Sequence, residues 1–166
     1  LESPPFLSST ASVVYKRQLI KEALESNLRL AIASTTSLKN VEALIKSTLG
    51  KSALEYFEVI AAGDIVNKKK PAPDIYQYAL DLLNLSCDDC VAFEDSQIVF
   101  NAAISAGLKK VVTISEYTKT NNFEGALVVL DHLGEEDKPF QIINGTPSDY
   151  SMASVDYIKE LYERNR

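Results

Sequence analysis

Three short polar clusters in this sequence carry residue types that can act on a phosphate group. Glu94-Asp95-Ser96 sets two carboxylates side by side. Neighbouring carboxylates repel one another unless something neutralises them. Mg²⁺ does so readily, taking one or two carboxylates and completing its shell with water and phosphate oxygens. The same pair also suits a solvated acidic turn in front of a helix. Lys68-Lys69-Lys70 runs into Pro71-Ala72-Pro73. Proline drives the residue before it into an extended conformation and stiffens the loop, so Lys70 is the lysine held in place. A fixed ammonium offsets charge on a phosphoryl group, although three lysines in a row also describe an ordinary basic loop. Ser34 and Thr35 follow the apolar run Leu28–Ala33. The hydroxyls and nearby backbone N–H groups there can hold a phosphate oxygen or cap a helix.

The elements that must carry these clusters alternate along the chain. Helical spacing of Leu19, Ile20, Ala23 and Leu24 predicts a helix over Val14–Ser26, followed by a strand at Leu28–Ala33. Asn40–Leu49 reads as a helix closed by Gly50, with Tyr56–Ala62 as the next strand. A helix opening at Asp74 runs to Asn84, with Ile75, Tyr78, Ala79 and Leu82 on its apolar face. Val91–Phe93 is a short strand, and a helix follows it to Ala106. Lys110–Ile114 and Ala126–Leu130 read as strands and Ser154–Glu163 as a last helix. Such alternation predicts an α/β fold with a parallel sheet flanked by helices. In these sheets ligands bind beyond the carboxyl ends of the strands, which is where all three clusters fall.

Composition narrows the function classes. Of 166 residues, 17 are Lys or Arg and 23 are Asp or Glu, a net charge of −6. That balance disfavours nucleic acid, whose phosphates it repels, but leaves a small anionic ligand open because a few local cations can set the field of one cleft. No apolar run is long enough to span a bilayer. Cys87 and Cys90 are the only cysteines. With a single distant His132 they do not make a zinc site, and they read as two small residues at a helix-to-strand junction.

Together the clusters resemble the motifs of the haloacid dehalogenase-like hydrolase superfamily. Leu30-Ala31-Ile32-Ala33-Ser34-Thr35-Thr36-Ser37 is similar to its second motif, a strand ending in Ser or Thr. Lys69-Lys70-Pro71-Ala72-Pro73-Asp74-Ile75-Tyr76 is similar to the third motif in the branch of beta-phosphoglucomutases and sugar phosphatases. Val91-Ala92-Phe93-Glu94-Asp95-Ser96 is similar to the fourth. Ala62-Gly63-Asp64 and Phe123-Glu124-Gly125-Ala126 look most like the CbbY-like sugar-bisphosphate phosphatases. The resemblance covers roughly Lys16 to Gly134. It implies a Rossmann-like core that hydrolyses phosphate monoesters of sugars through an aspartyl-phosphate, with Mg²⁺ as cofactor. Ser34 and Lys70 would be the catalytic residues present. Ser34, Thr35 and Lys70 would contact the substrate phosphate, and Asp95 and Glu94 the metal. A cytoplasmic or a plastid location is compatible with it.

The family's first motif, Asp-x-Asp at the end of the central strand, has no counterpart here. Leu1–Ala33 contains no Asp; its acids are Glu2, Glu22 and Glu25. No room for a cap domain exists before Val14. The sequence therefore divides into residues 1–13, a linker or truncated N-terminus, and residues 14–166, a partial core lacking the first-motif strand and the cap. The expected function is that of a phosphatase fragment, inactive alone for want of its nucleophile. The alternatives are a non-catalytic module that binds a phosphate ligand or a partner, and a mutase of the beta-phosphoglucomutase kind. Without its central strand the sheet should either gap or pair two inner edges directly, leaving the chain marginally stable.

Overall fold

A computed structural model describes residues 6–8, 17–135 and 137–165. The elements run β1 (Phe6–Ser8), α1 (Arg17–Glu25), β2 (Leu30–Ser34), α2 (Leu38–Leu49), a 3₁₀ turn (Lys51–Tyr56) and β3 (Val59–Ala62). They continue with α3 (Asp74–Leu83), a second 3₁₀ turn (Cys87–Asp89), β4 (Val91–Glu94), α4 (Gln97–Ser105) and β5 (Lys109–Thr113). The chain closes with β6 (Val128–Leu130), β7 (Ile142–Asn144) and α5 (Val155–Arg164). One sheet holds all seven strands in the order β3-β2-β1-β4-β5-β6-β7. Every pairing is parallel except β6 with β7.

The expectation of a gapped sheet is corrected by β1. Phe6 pairs with Leu30 on one side and Val91 on the other, and Ser8 with Ile32 and Phe93. Three residues from the stretch expected to be linker thus occupy the central slot. The slot strand, Phe6-Leu7-Ser8, carries no aspartate. The slot is filled for a physical reason: β2 and β4 each present an inner edge whose backbone groups need partners, and any short extended segment can supply them. The remaining residues of 1–13, and 14–16 of the first expected helix, lie outside the described residues.

Alternation along each strand divides the core into two layers. Leu30, Ile32, Val91, Phe93, Val111, Val128 and Leu130 pack with Leu19, Ile20 and Ala23 of α1, Val41 and Ile45 of α2, and Ile158 and Leu161 of α5. The opposite face is rich in alanine. Ala31, Ala33, Ala61 and Ala92 meet Ile75, Tyr76, Ala79, Leu80 and Leu83 of α3 and Ala102 and Ala103 of α4. Small strand residues let α3 approach closely, leaving room for Tyr76 against the sheet. This corrects the expected α3 face, since Leu82 is exposed while Tyr76, Leu80 and Leu83 are buried.

Helix ends follow local chemistry. Ser37 Oγ accepts from Asn40 N at the start of α2, and Ser154 Oγ from Tyr157 N at the start of α5. The Glu22 carboxylate reaches from α1 to accept from Val155 N, satisfying another orphan donor of α5. Asn84 ends α3 in the left-handed region, at φ 53°. Two expectations shift here: Tyr56 closes a 3₁₀ turn instead of opening β3, and β7 adds a strand in the polar tail. Cys87 lies in the second 3₁₀ turn and Cys90 just before β4. Both thiols are free. Burial, with the nearby Asp89 and Cys87, pushes the Cys90 thiol up to about 12, which makes it inert as a nucleophile.

Two outcomes follow from this arrangement. Leu7→Pro removes a ladder donor from the central strand and should destabilise the chain by about 1–3 kcal/mol, read from the midpoint of urea unfolding; an unchanged midpoint would mean that the slot is not held by this strand. In native protein at about pH 8, an aromatic disulfide reagent should label Cys87 alone, with Cys90 reacting only after denaturant is added; equal labelling rates would contradict the buried position of Cys90.

Candidate phosphate and metal site

The three clusters meet at the carboxyl edge of the sheet. Ser34 is the last residue of β2 and only 3 % exposed. Its Oγ accepts from Thr36 N at 3.2 Å, and its carbonyl accepts from Gly63 N at 3.1 Å, tying the end of β2 to the end of β3. Gly63 sits at φ 71°, where a Cβ would stand 3.3 Å from Ser37 Cα, so this junction of two loops favours glycine. Of the two uses open to Ser34 in the sequence, capping α2 falls to Ser37. Thr35 is exposed beside it.

The three lysines separate. Lys69 pairs with Asp64 at 2.6 Å on the surface, and its hydrogen bond holds the Asp64 carboxyl below the usual carboxylate range. Lys70 turns inward. Its Nζ donates to the carbonyl of Ala33 at 3.1 Å and to the hydroxyl of Tyr76 at 2.8 Å, with the ammonium 4.5 Å from the ring centroid of Tyr76. The Lys70–Pro71 peptide is cis. Burial lowers the Lys70 pKa, with Glu94 and then Asp95 acting in the opposite direction.

Tyr76 is the residue that sequence reasoning passed over. It lies in the first turn of α3, fully buried, and its hydroxyl donates to Glu94 Oε1 at 2.5 Å. Burial raises its pKa well above the ordinary tyrosine value, and the charge of Glu94, its hydrogen bond and Asp95 add to the rise. The signal was available: a tyrosine on a buried helix face needs a partner for its hydroxyl, and Glu94 is the acceptor it finds. Glu94 ends β4 at 1 % exposure, and Asp95 follows, half-buried.

Among the described residues, no three His, Cys, Asp or Glu side chains gather into a metal cluster. The donor set at the end of β4 nevertheless suits Mg²⁺, a hard cation that needs few protein oxygens when phosphate supplies others. Asp95, half-buried, is the carboxylate after Glu94 along the chain. One oxygen of Glu94 is already committed to Tyr76. Chemically, the edge offers a buried hydroxyl, one ammonium and one half-exposed carboxylate around the end of the central strand. That is a set for holding an anion together with a cation.

A family model described as haloacid dehalogenase-like hydrolase matches residues 14–107. Protein CbbY of Rhodobacter capsulatus is 53% identical over 109 residues, covering 66% of this chain and 48% of that protein. A CBBY-like protein of Arabidopsis thaliana is 39% identical over 118 residues, covering 71% of this chain and 37% of that protein. The crystal structure of a CbbY variant from Rhodobacter sphaeroides in complex with xylulose-(1,5)bisphosphate superposes with a TM-score of 0.66 at 49% identity, over 69% of this chain and 51% of that one. The chain spans about half the length of the curated CbbY relatives it matches. None of the described helices is long and apolar enough to cross a membrane.

Proposed function

We propose, because the chain belongs to the haloacid dehalogenase-like hydrolase family, that its strand-end cleft is the phosphate- and Mg²⁺-holding part of a sugar-phosphate phosphatase centre. The observation that carries this is the bond from Lys70 Nζ to the carbonyl of Ala33, which brings the lysine loop to the end of β2 beside Ser34. Xylulose-(1,5)bisphosphate in a CbbY relative makes a sugar bisphosphate the substrate class to expect.

Each residue then has a role. Ser34 and Thr35 hydrogen-bond phosphoryl oxygens from the end of β2. Lys70 offsets their charge from a buried position, where an ammonium acts more strongly than in water. Asp95 would hold Mg²⁺, which when bound supplies further charge neutralisation of the phosphoryl oxygens. Covalent transfer needs a carboxylate nucleophile at the end of the central strand. Phe6-Leu7-Ser8 brings none there, and no Asp precedes Ser34 in the sequence. The chain alone therefore holds the phosphate and does not accept it covalently.

That Asp-free central strand also favours a second reading, a non-catalytic module that binds phosphorylated sugars. Both readings demand binding, so calorimetric titration with xylulose bisphosphate in the presence of Mg²⁺ tests their common ground. Binding is expected for the unaltered chain. Lys70→Ala should weaken it by about tenfold or more and Ser34→Ala by a smaller factor. Affinity unchanged by Lys70→Ala would remove the cleft from the account.

A further inference from the structure

We infer that Tyr76 is a positioning residue for this cleft, and that Glu94 serves the cleft through Tyr76 and Lys70 instead of ligating the metal. The inference rests on the reading of the cleft as a phosphate site. It starts from a direction of hydrogen bonding. Lys70 Nζ donates to Tyr76, and Tyr76 donates to Glu94 Oε1, so the relay runs from cation to carboxylate with every proton placed. Lys70 Nζ also donates to Ala33 O. An ammonium has three N–H bonds, and among the described residues two of them have acceptors.

The hydroxyl of Tyr76 is not needed for packing. Its ring fills the alanine-lined face between α3 and the sheet, and phenylalanine would fill the same space. Burying a hydroxyl is costly unless it is satisfied, and here it is satisfied on both sides by charged groups. Such bonds are stronger and more directional than neutral ones. Without the hydroxyl, the ammonium would have the flexible freedom of an ordinary lysine between a carbonyl and the solvent.

Glu94 is the carboxylate whose direction the strand fixes. Side chains alternate along a strand. Ala92 faces α3 and α4, and Glu94 follows it toward Tyr76. Asp95 is the next residue, beyond the end of β4. One oxygen of Glu94 is thus engaged by the tyrosine of the lysine relay, which leaves Asp95 as the carboxylate we assign to a cation.

The test uses the chain with ¹⁵N-labelled lysine and four proteins: unaltered, Tyr76→Phe, Glu94→Gln and Asp95→Asn. The readouts are the Lys70 ammonium resonance, the affinity for inorganic phosphate and the affinity for Mg²⁺ alone, with backbone amide spectra showing that each variant is folded. Tyr76→Phe and Glu94→Gln should each shift the Lys70 resonance and weaken phosphate binding about tenfold, while leaving Mg²⁺ affinity within about twofold. Asp95→Asn should instead lose Mg²⁺ affinity. The inference is overturned if Glu94→Gln loses Mg²⁺ as fully as Asp95→Asn, or if Tyr76→Phe leaves the resonance in place. If no protein binds phosphate, the functional reading fails, and the resonance alone decides the part played by Tyr76.

Discussion

The inner slot of a parallel sheet cannot stay empty, and the rest of this molecule depends on how that slot is filled. Backbone N–H and C=O groups on the facing edges of β2 and β4 need partners, because buried unpaired groups cost far more than a bond gains. Phe6–Ser8 supplies them on both sides. The consequence reaches the cleft. With a strand between them, β2 and β4 stand roughly 10 Å apart; paired directly they would stand roughly 5 Å apart. Ser34 at the end of one and Glu94 at the end of the other are therefore held a strand's width further apart than direct pairing would leave them.

Charge is managed on the same edge. The molecule is acidic overall, with a net charge of −6, yet the end of β2 has a lysine turned toward it. Glu94 is buried at the heart of the edge, and a lone carboxylate there would be costly. The tyrosine hydroxyl and the ammonium beyond it offset that cost. The surface ion pair of Lys69 with Asp64 contributes little by comparison, since both groups are solvated. Position, not the number of charges, separates Lys70 from its two neighbours.

Much of this was legible in the sequence. The alternation of helical and strand patterns located five of the seven strands and all five helices, because each repeats its apolar spacing over several residues. Lys70 was singled out by Pro71 alone. What the sequence hid has physical causes. A three-residue strand such as Phe6–Ser8, set among Ser and Pro, has no periodicity to show; its assignment comes from the two edges it joins. Ile142–Asn144 is equally short and pairs as an edge strand. The Tyr76 relay depends on a contact between residues 18 positions apart, which no local spacing reveals.

The most direct measurement is phosphate release from a panel of sugar phosphates and bisphosphates with Mg²⁺, using this chain and its Asp95→Ala variant. No release is expected from either, because the central strand brings no aspartate to the cleft beside Ser34 and Lys70. Turnover by the unaltered chain that Asp95→Ala abolishes would contradict that expectation and would require another residue to act as nucleophile.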